Sequence, residues 1–226
     1  MAPVSQAEAF PIVLSLRVAA LALVFVGPIG LAIAWLQARR RYVLRSLVDG
    51  LVLLPLVLPP SVVGFFLVVL FGRRGVLGAW LDAELSLRVV FSPAAAVIAS
   101  AVVALPILVK TAQPALEAVP SELEDVGRSL GLSPLPLFFR VTLPSAWRGV
   151  LAALVLAFAR AIGEFGATIM FAGNIPGRTN TMPLEIFAAY QGGDDRRAGI
   201  YVAVLTVISI VVVAAAARLS PRNSRA

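Results

Sequence analysis

Five stretches of this chain are apolar over about the 20 residues that a helix needs to cross a bilayer. They run roughly 11–36, 48–71, 89–109, 146–171 and 198–217. The chain is 60% hydrophobic and only 14% charged, whereas soluble domains are about 45–50% apolar and about 25% charged. The expected fold is therefore an all-α polytopic membrane protein, with residues 1–226 forming a single transmembrane domain.

Residue types exclude several chemistries. The chain has no Cys and no His, so disulfides, thiolate or imidazole metal sites and Ser-His or Cys-His catalysis are out of reach. Its only lysine, Lys110, follows no glycine-rich loop, so a phosphate-binding P-loop cannot form. No metal site, no cofactor of its own and no enzymatic activity are expected. The net charge of +7 is explained by the positive-inside rule rather than by nucleic-acid binding.

Arginine and lysine also set the orientation. Arg39, Arg40, Arg41 and Arg45, then Lys110, Arg128, Arg140 and Arg148, then Arg218, Arg222 and Arg225 fall on one side. Arg73, Arg74, Arg88, Arg178, Arg196 and Arg197 fall on the other. Eleven against six places segment 121–144 and the C-terminus in the cytoplasm and the N-terminus outside.

Segment 121–144 is polar between apolar neighbours, so it faces water or another protein. Ser121 followed by Glu124 fits a capping box. Glu122, Glu124 and Asp125 favour a helix N-terminus, and Gly131 reads as its C′ terminator. A second short helix is expected from Ser133–Pro134, ending before Pro144. It would present Leu135, Leu137, Phe138 and Phe139, either to a partner protein or to the membrane surface.

The spans are irregular. Pro55, Pro59, Pro60 and Pro106 interrupt backbone bonding, which fits either a tight bundle or a kinked pathway. Arg160 and Glu164 lie four apart within a span, as a mutually satisfied pair or as part of a path. Gly163 and Gly166 beside them read as close-packing or hinge positions. The external segment 172–197 is broken by glycines and prolines, with a short helix expected over Met182–Gln191.

Two motifs carry a resemblance. Asp125-Val126-Gly127, Gly131 and Val141-Thr142-Leu143-Pro144 resemble the cytoplasmic E-A-A-x-x-x-G-x9-I-x-L-P motif of the membrane subunits of binding-protein-dependent ABC importers. Asp replaces Glu and Val-Gly replaces Ala-Ala, which leaves open whether Glu124 or Asp125 is the motif's acid. Gly163-Glu164-Phe165-Gly166 with Asn174, Pro176, Arg178 and Thr179, together with Leu58-Pro59-Pro60, resemble the oxyanion permeases of that group. The Gly72-Arg73-Arg74-Gly75 turn is more similar to the molybdate and tungstate branch than to the sulfate and thiosulfate branch.

The resemblance implies a type I ABC importer permease fold in a prokaryotic inner membrane. It implies that Glu124, Asp125, Gly127, Gly131, Val141, Leu143 and Pro144 form a coupling loop, and that Arg160, Gly163, Glu164, Gly166, Pro59 and Pro60 lie near the path or gate. Asn174, Pro176, Arg178 and Thr179 would lie in the external loop. The implied partners are a second copy of the chain, a cytoplasmic ATPase dimer that holds ATP and magnesium, an external oxyanion-binding protein and the lipid bilayer.

Overall fold

Proline and glycine decide where the apolar stretches break. The computed structural model describes residues 6–40 and 42–219; Arg41, Arg222 and Arg225 of the charge count lie outside them. All regular structure among these residues is helical: α1 (Gln6–Arg39), α2 (Arg45–Val57), α3 (Pro60–Phe71), α4 (Val76–Leu85), α5 (Pro93–Glu117), α6 (Ser121–Ser129), α7 (Pro134–Leu137), a π-turn (Phe138–Thr142), α8 (Leu143–Ile162), α9 (Gly166–Phe171), α10 (Met182–Gln191) and α11 (Asp195–Leu219). Four continuous helical segments are long and apolar enough to cross a membrane, whereas the expected span 48–71 is two helices, α2 and α3, bent by 112°. Leu58 turns extended, at φ −72 and ψ 145, and Pro59 and Pro60 follow it. Pro106 and Pro114, by contrast, sit inside a continuous α5.

Helix α5 is the centre. Ala95, Ala96, Ala99, Ala104 and Ala112 are fully enclosed, and such small residues let neighbouring backbones approach closely. A β-carbon on Gly30 of α1 would lie 2.6 Å from Leu108, and one on Gly149 of α8 would lie 2.3 Å from Ala115. Both glycines thus mark crossings onto α5 that no larger residue fits without movement. Helix α2 is tied to the same C-terminal half of α5 by two ion pairs, Lys110–Asp49 and Arg45–Glu117, the second at 3.8 Å.

Candidate functional site

Segment 121–144 is built around one buried carboxylate. Pro120 opens α6, so Ser121 is its first helical residue and caps nothing. The expected capping box does not form because Glu124 turns inward instead. Its Oε1 accepts a hydrogen bond from the Thr142 hydroxyl at 2.7 Å and lies 3.0 Å from Arg39 Nε. Its Oε2 lies 3.2 Å from Arg128 Nη2. Arg39 also donates to the Val119 carbonyl at 3.0 Å. Glu124 is 3% exposed, and these partners join the end of α1, helix α6 and the π-turn.

Asp125 is different. Its side chain is 67% exposed and pairs with Arg128 at 2.7 Å. The two acids therefore divide the work by position: Glu124 holds the segment together, and Asp125 faces outward.

The glycines have separate reasons. A β-carbon on Gly127 would lie 2.5 Å from Leu137 Cδ1, so its absence lets α6 lie on α7. Gly131 has φ +83 with open space around it, so its constraint is conformational. It ends α6, with its N–H donating to the Arg128 carbonyl at 2.9 Å.

Pro134 then opens α7 as the sequence suggests, but this helix does not stop before Pro144. Leu143 N–H reaches back to the Phe138 carbonyl, a wider i→i+5 turn that leads straight into α8. Pro144 has no N–H to give, and it sits in the first turn of α8, where that loss is tolerated.

The exposed apolar face also differs from expectation. Leu137 and Phe138 are buried, and only Leu135 and Phe139 of that group are exposed. Leu123, Val126 and Leu130 of α6 and its C-cap are exposed as well. Their i, i+3, i+7 spacing was the signal in the sequence that could have found this stripe. Val141 and Leu143 are half-buried, and Pro144 is exposed.

Where α3 packs on α9, two chain breaks meet. Helix α8 ends at Ile162, Gly163 is exposed at its C-cap, and α9 begins at Gly166. Glu164 Oε2 pairs with Arg160 Nη1 at 2.8 Å, and its Oε1 accepts the Ala167 N–H at 2.8 Å. The Glu164 side chain is almost wholly enclosed while Arg160 is partly open. A β-carbon on Gly166 would lie 2.7 Å from Pro60 Cβ, and one on Gly64 would lie 2.8 Å from the Ala167 carbonyl. The short helices α3 and α9 thus interlock beside exposed Pro59 and Pro60.

The loop between α9 and α10 folds on Thr179, which accepts the Ile175 N–H at 2.9 Å and donates to the Gly173 carbonyl at 3.1 Å. Asn174 donates to the Leu184 carbonyl at 3.4 Å. Pro176 and Arg178 remain exposed. Sequence reasoning missed the clasp beneath this loop. Asn180 donates to Glu185 at 2.9 Å, Glu185 pairs with Arg197 at 2.7 Å, and Met182 N–H donates to Ser15 of α1 at 2.7 Å. It also missed the α2–α5 ion pairs, because partners that distant in sequence leave no local pattern.

Residues 9–225 match the family described as binding-protein-dependent transport system inner membrane component. The molybdenum transport system permease protein ModB of Haemophilus influenzae is 42% identical over 203 residues, covering 88% of this chain and 89% of the relative. The Escherichia coli K12 protein of the same name is 41% identical over 213 residues, covering 92% and 93%. A putative molybdenum transport system permease protein of Bacillus subtilis is 39% identical over 211 residues, covering 92% of each chain. Among solved structures, an alginate ABC importer chain aligns with TM-score 0.71 at 18% identity, covering 96% of this chain and 81% of that one. A chain of an inward-facing methionine ABC transporter aligns with TM-score 0.66 at 15% identity, covering 96% and 94%. These two likenesses establish the fold as that of type I ABC importer permeases.

Proposed function

The chain belongs to the binding-protein-dependent transport system inner membrane component family, and from that membership we propose that it is the permease subunit of an importer for molybdate or the similar tungstate. The observation that carries the ion is the identity of 39–42% with molybdenum permeases over most of the chain.

Physics sets what such a subunit must do. Moving each unit charge of an oxyanion dianion into a low-dielectric medium costs on the order of 20 kcal/mol in an idealised continuum, so the path must be wet. An inside-negative potential opposes a dianion by about 4.6 kcal/mol per 100 mV. The chain has no P-loop, so the energy comes from a separate ATPase that binds ATP and magnesium.

That ATPase docks at segment 121–144, where Asp125 and the exposed stripe of Leu123, Val126 and Leu130 face the cytoplasm. Glu124 transmits its movement, because the same carboxylate touches α6, the π-turn leading into α8 and Arg39 at the end of α1. A second copy completes the path along the face bearing Pro59, Pro60 and Gly163. Arg160 is held by Glu164 and offers the anion only a weak contact, which suits a path that must release its cargo. An external binding protein delivers the oxyanion at the side of Arg178, Arg73 and Arg74, and the N-terminus lies on that side.

ATP-driven uptake by proteoliposomes of the assembled complex tests the proposal, with molybdate, tungstate and sulfate in competition. Molybdate or tungstate should be accumulated and should displace each other. Accumulation of sulfate or thiosulfate alone would move the chain to the other branch.

A further inference from the structure

An apolar groove of about 540 Å³ runs along the outside of α1 and ends at the coupling turn. Val24, Ala32 and Trp35 of α1 line one wall, and Phe138, Phe139 and Leu154 line the other. It is open to the surroundings, with Val24 at 64% and Phe139 at 61% exposure. From Val24 to Trp35 the helix rises about 16 Å, close to one leaflet of a hydrocarbon core about 30 Å thick.

Trp35 is also a wall of a second, smaller cavity of about 230 Å³, whose lining includes Arg39, Arg40, Arg128 and Glu124. Three guanidinium groups there face one carboxylate. Glu124 is occupied by Arg39 and Arg128. Arg40 is exposed and makes no ion pair among the described residues. An apolar groove one leaflet deep thus meets a cationic pocket at a tryptophan, the residue favoured at the membrane interface.

We propose that this groove and pocket form a binding site for an anionic phospholipid, with an acyl chain against Val24, Ala32 and Phe139 and the phosphate beside Arg40. Cationic pockets on the cytoplasmic side of helix bundles suit such headgroups. The site rests on the embedding of α1 and α8 in the membrane and not on which ion is transported. Its consequence is mechanical. Phe138 packs on Trp35 with ring centroids 5.1 Å apart and on Phe139 at 5.1 Å, so a seated lipid braces the turn through which α6 moves α8.

The test uses the full chain with Trp80→Phe and Trp147→Phe, which leaves Trp35 as its only tryptophan. The chain is reconstituted in phosphatidylcholine bilayers containing a minority of phosphatidylglycerol. Either lipid carries bromine on its acyl chains to quench fluorescence. The expected result is quenching by brominated phosphatidylglycerol that corresponds to roughly fivefold enrichment over its bulk fraction. The enrichment should disappear in Arg40→Gln and persist in Arg40→Lys, and Ala32→Phe should reduce quenching by both lipids. A preference that survives Arg40→Gln, or equal quenching by the two lipids, overturns the proposal. No quenching by either lipid also overturns it and assigns the groove to a second copy or another protein. Lipid analysis of the purified whole complex gives an independent check, since Arg40→Gln should lower the ratio of bound phosphatidylglycerol to neutral lipid.

Discussion

The Thr142 hydroxyl donates to Glu124 Oε1 at 2.7 Å, so the turn that begins α8 is bonded directly to the middle of helix α6. No other described side-chain hydrogen bond joins these two elements. With Arg39 at 3.0 Å from the same oxygen, a displacement of α6 reaches both α8 and α1.

Breaking this junction should cost far more than removing its exposed neighbour. Glu124→Ala leaves Arg39 without its carboxylate partner, and loss of one partner of a buried pair costs about 3–5 kcal/mol. Asp125→Ala removes an exposed pair and should cost less than about 1 kcal/mol. Thermal denaturation of the purified chain measures both. Asp125→Ala should also weaken ATPase copurification at an almost unchanged melting temperature. Equal melting temperatures for the two variants would contradict the assignment of roles.

Gly127 and Gly131 should fail for different reasons. Gly127→Val pushes a branched side chain into Leu137, and overpacking of this kind costs about 1–3 kcal/mol. Gly131→Ala meets no atom but adopts φ +83, which costs about 1–2 kcal/mol. Trimming the neighbour, with Leu137→Ala, should partly rescue the first variant and do nothing for the second. Thermal shifts of the single and double variants decide this.

The Arg160–Glu164 pair should behave as one unit. Arg160→Met alone leaves the Glu164 carboxylate enclosed with only the Ala167 amide. Arg160→Met with Glu164→Gln removes both charges and keeps an oxygen to accept that amide. The double variant should therefore be more stable than Arg160→Met, since buried pairs replaced together are often neutral. Additive losses in a double-mutant cycle would show that the two charges are not coupled.

Charge on the outer face should set how fast the binding protein docks. Arg73→Glu with Arg74→Glu should slow association several-fold at low salt, and the difference should shrink as salt rises. Surface-immobilised complex titrated with the binding protein gives the rates. Rates indifferent to both the substitutions and the salt would retire this role for the two arginines.

Much of the architecture was legible in advance because it depends on local quantities. A run of apolar residues declares helix by its length, although two of the five runs, 48–71 and 146–171, are broken in the structure, and Pro134, Gly131 and the Met182–Gln191 pattern declare helix ends and a short helix by near-neighbour chemistry. The π-turn before Pro144 was not legible. A proline reads as a stop, and only the packing of Phe138 against Trp35 and of Thr142 against Glu124 carries the helix through it. The break at Gly163–Phe165 was hidden for a similar reason, since glycines within an apolar run also read as packing positions.

By itself the sequence determined that this chain has several stretches long and apolar enough to cross a membrane, which segment between them is polar, and that it lacks the groups to hydrolyse ATP through a P-loop. These follow from summed hydrophobicity, charge and residue type, which need no coordinates. Only the tertiary structure decided that Glu124 is enclosed and Asp125 exposed. The two acids sit side by side in one helical turn, and what separates them is the arrival of Arg39 and Thr142 from distant parts of the chain at one of them.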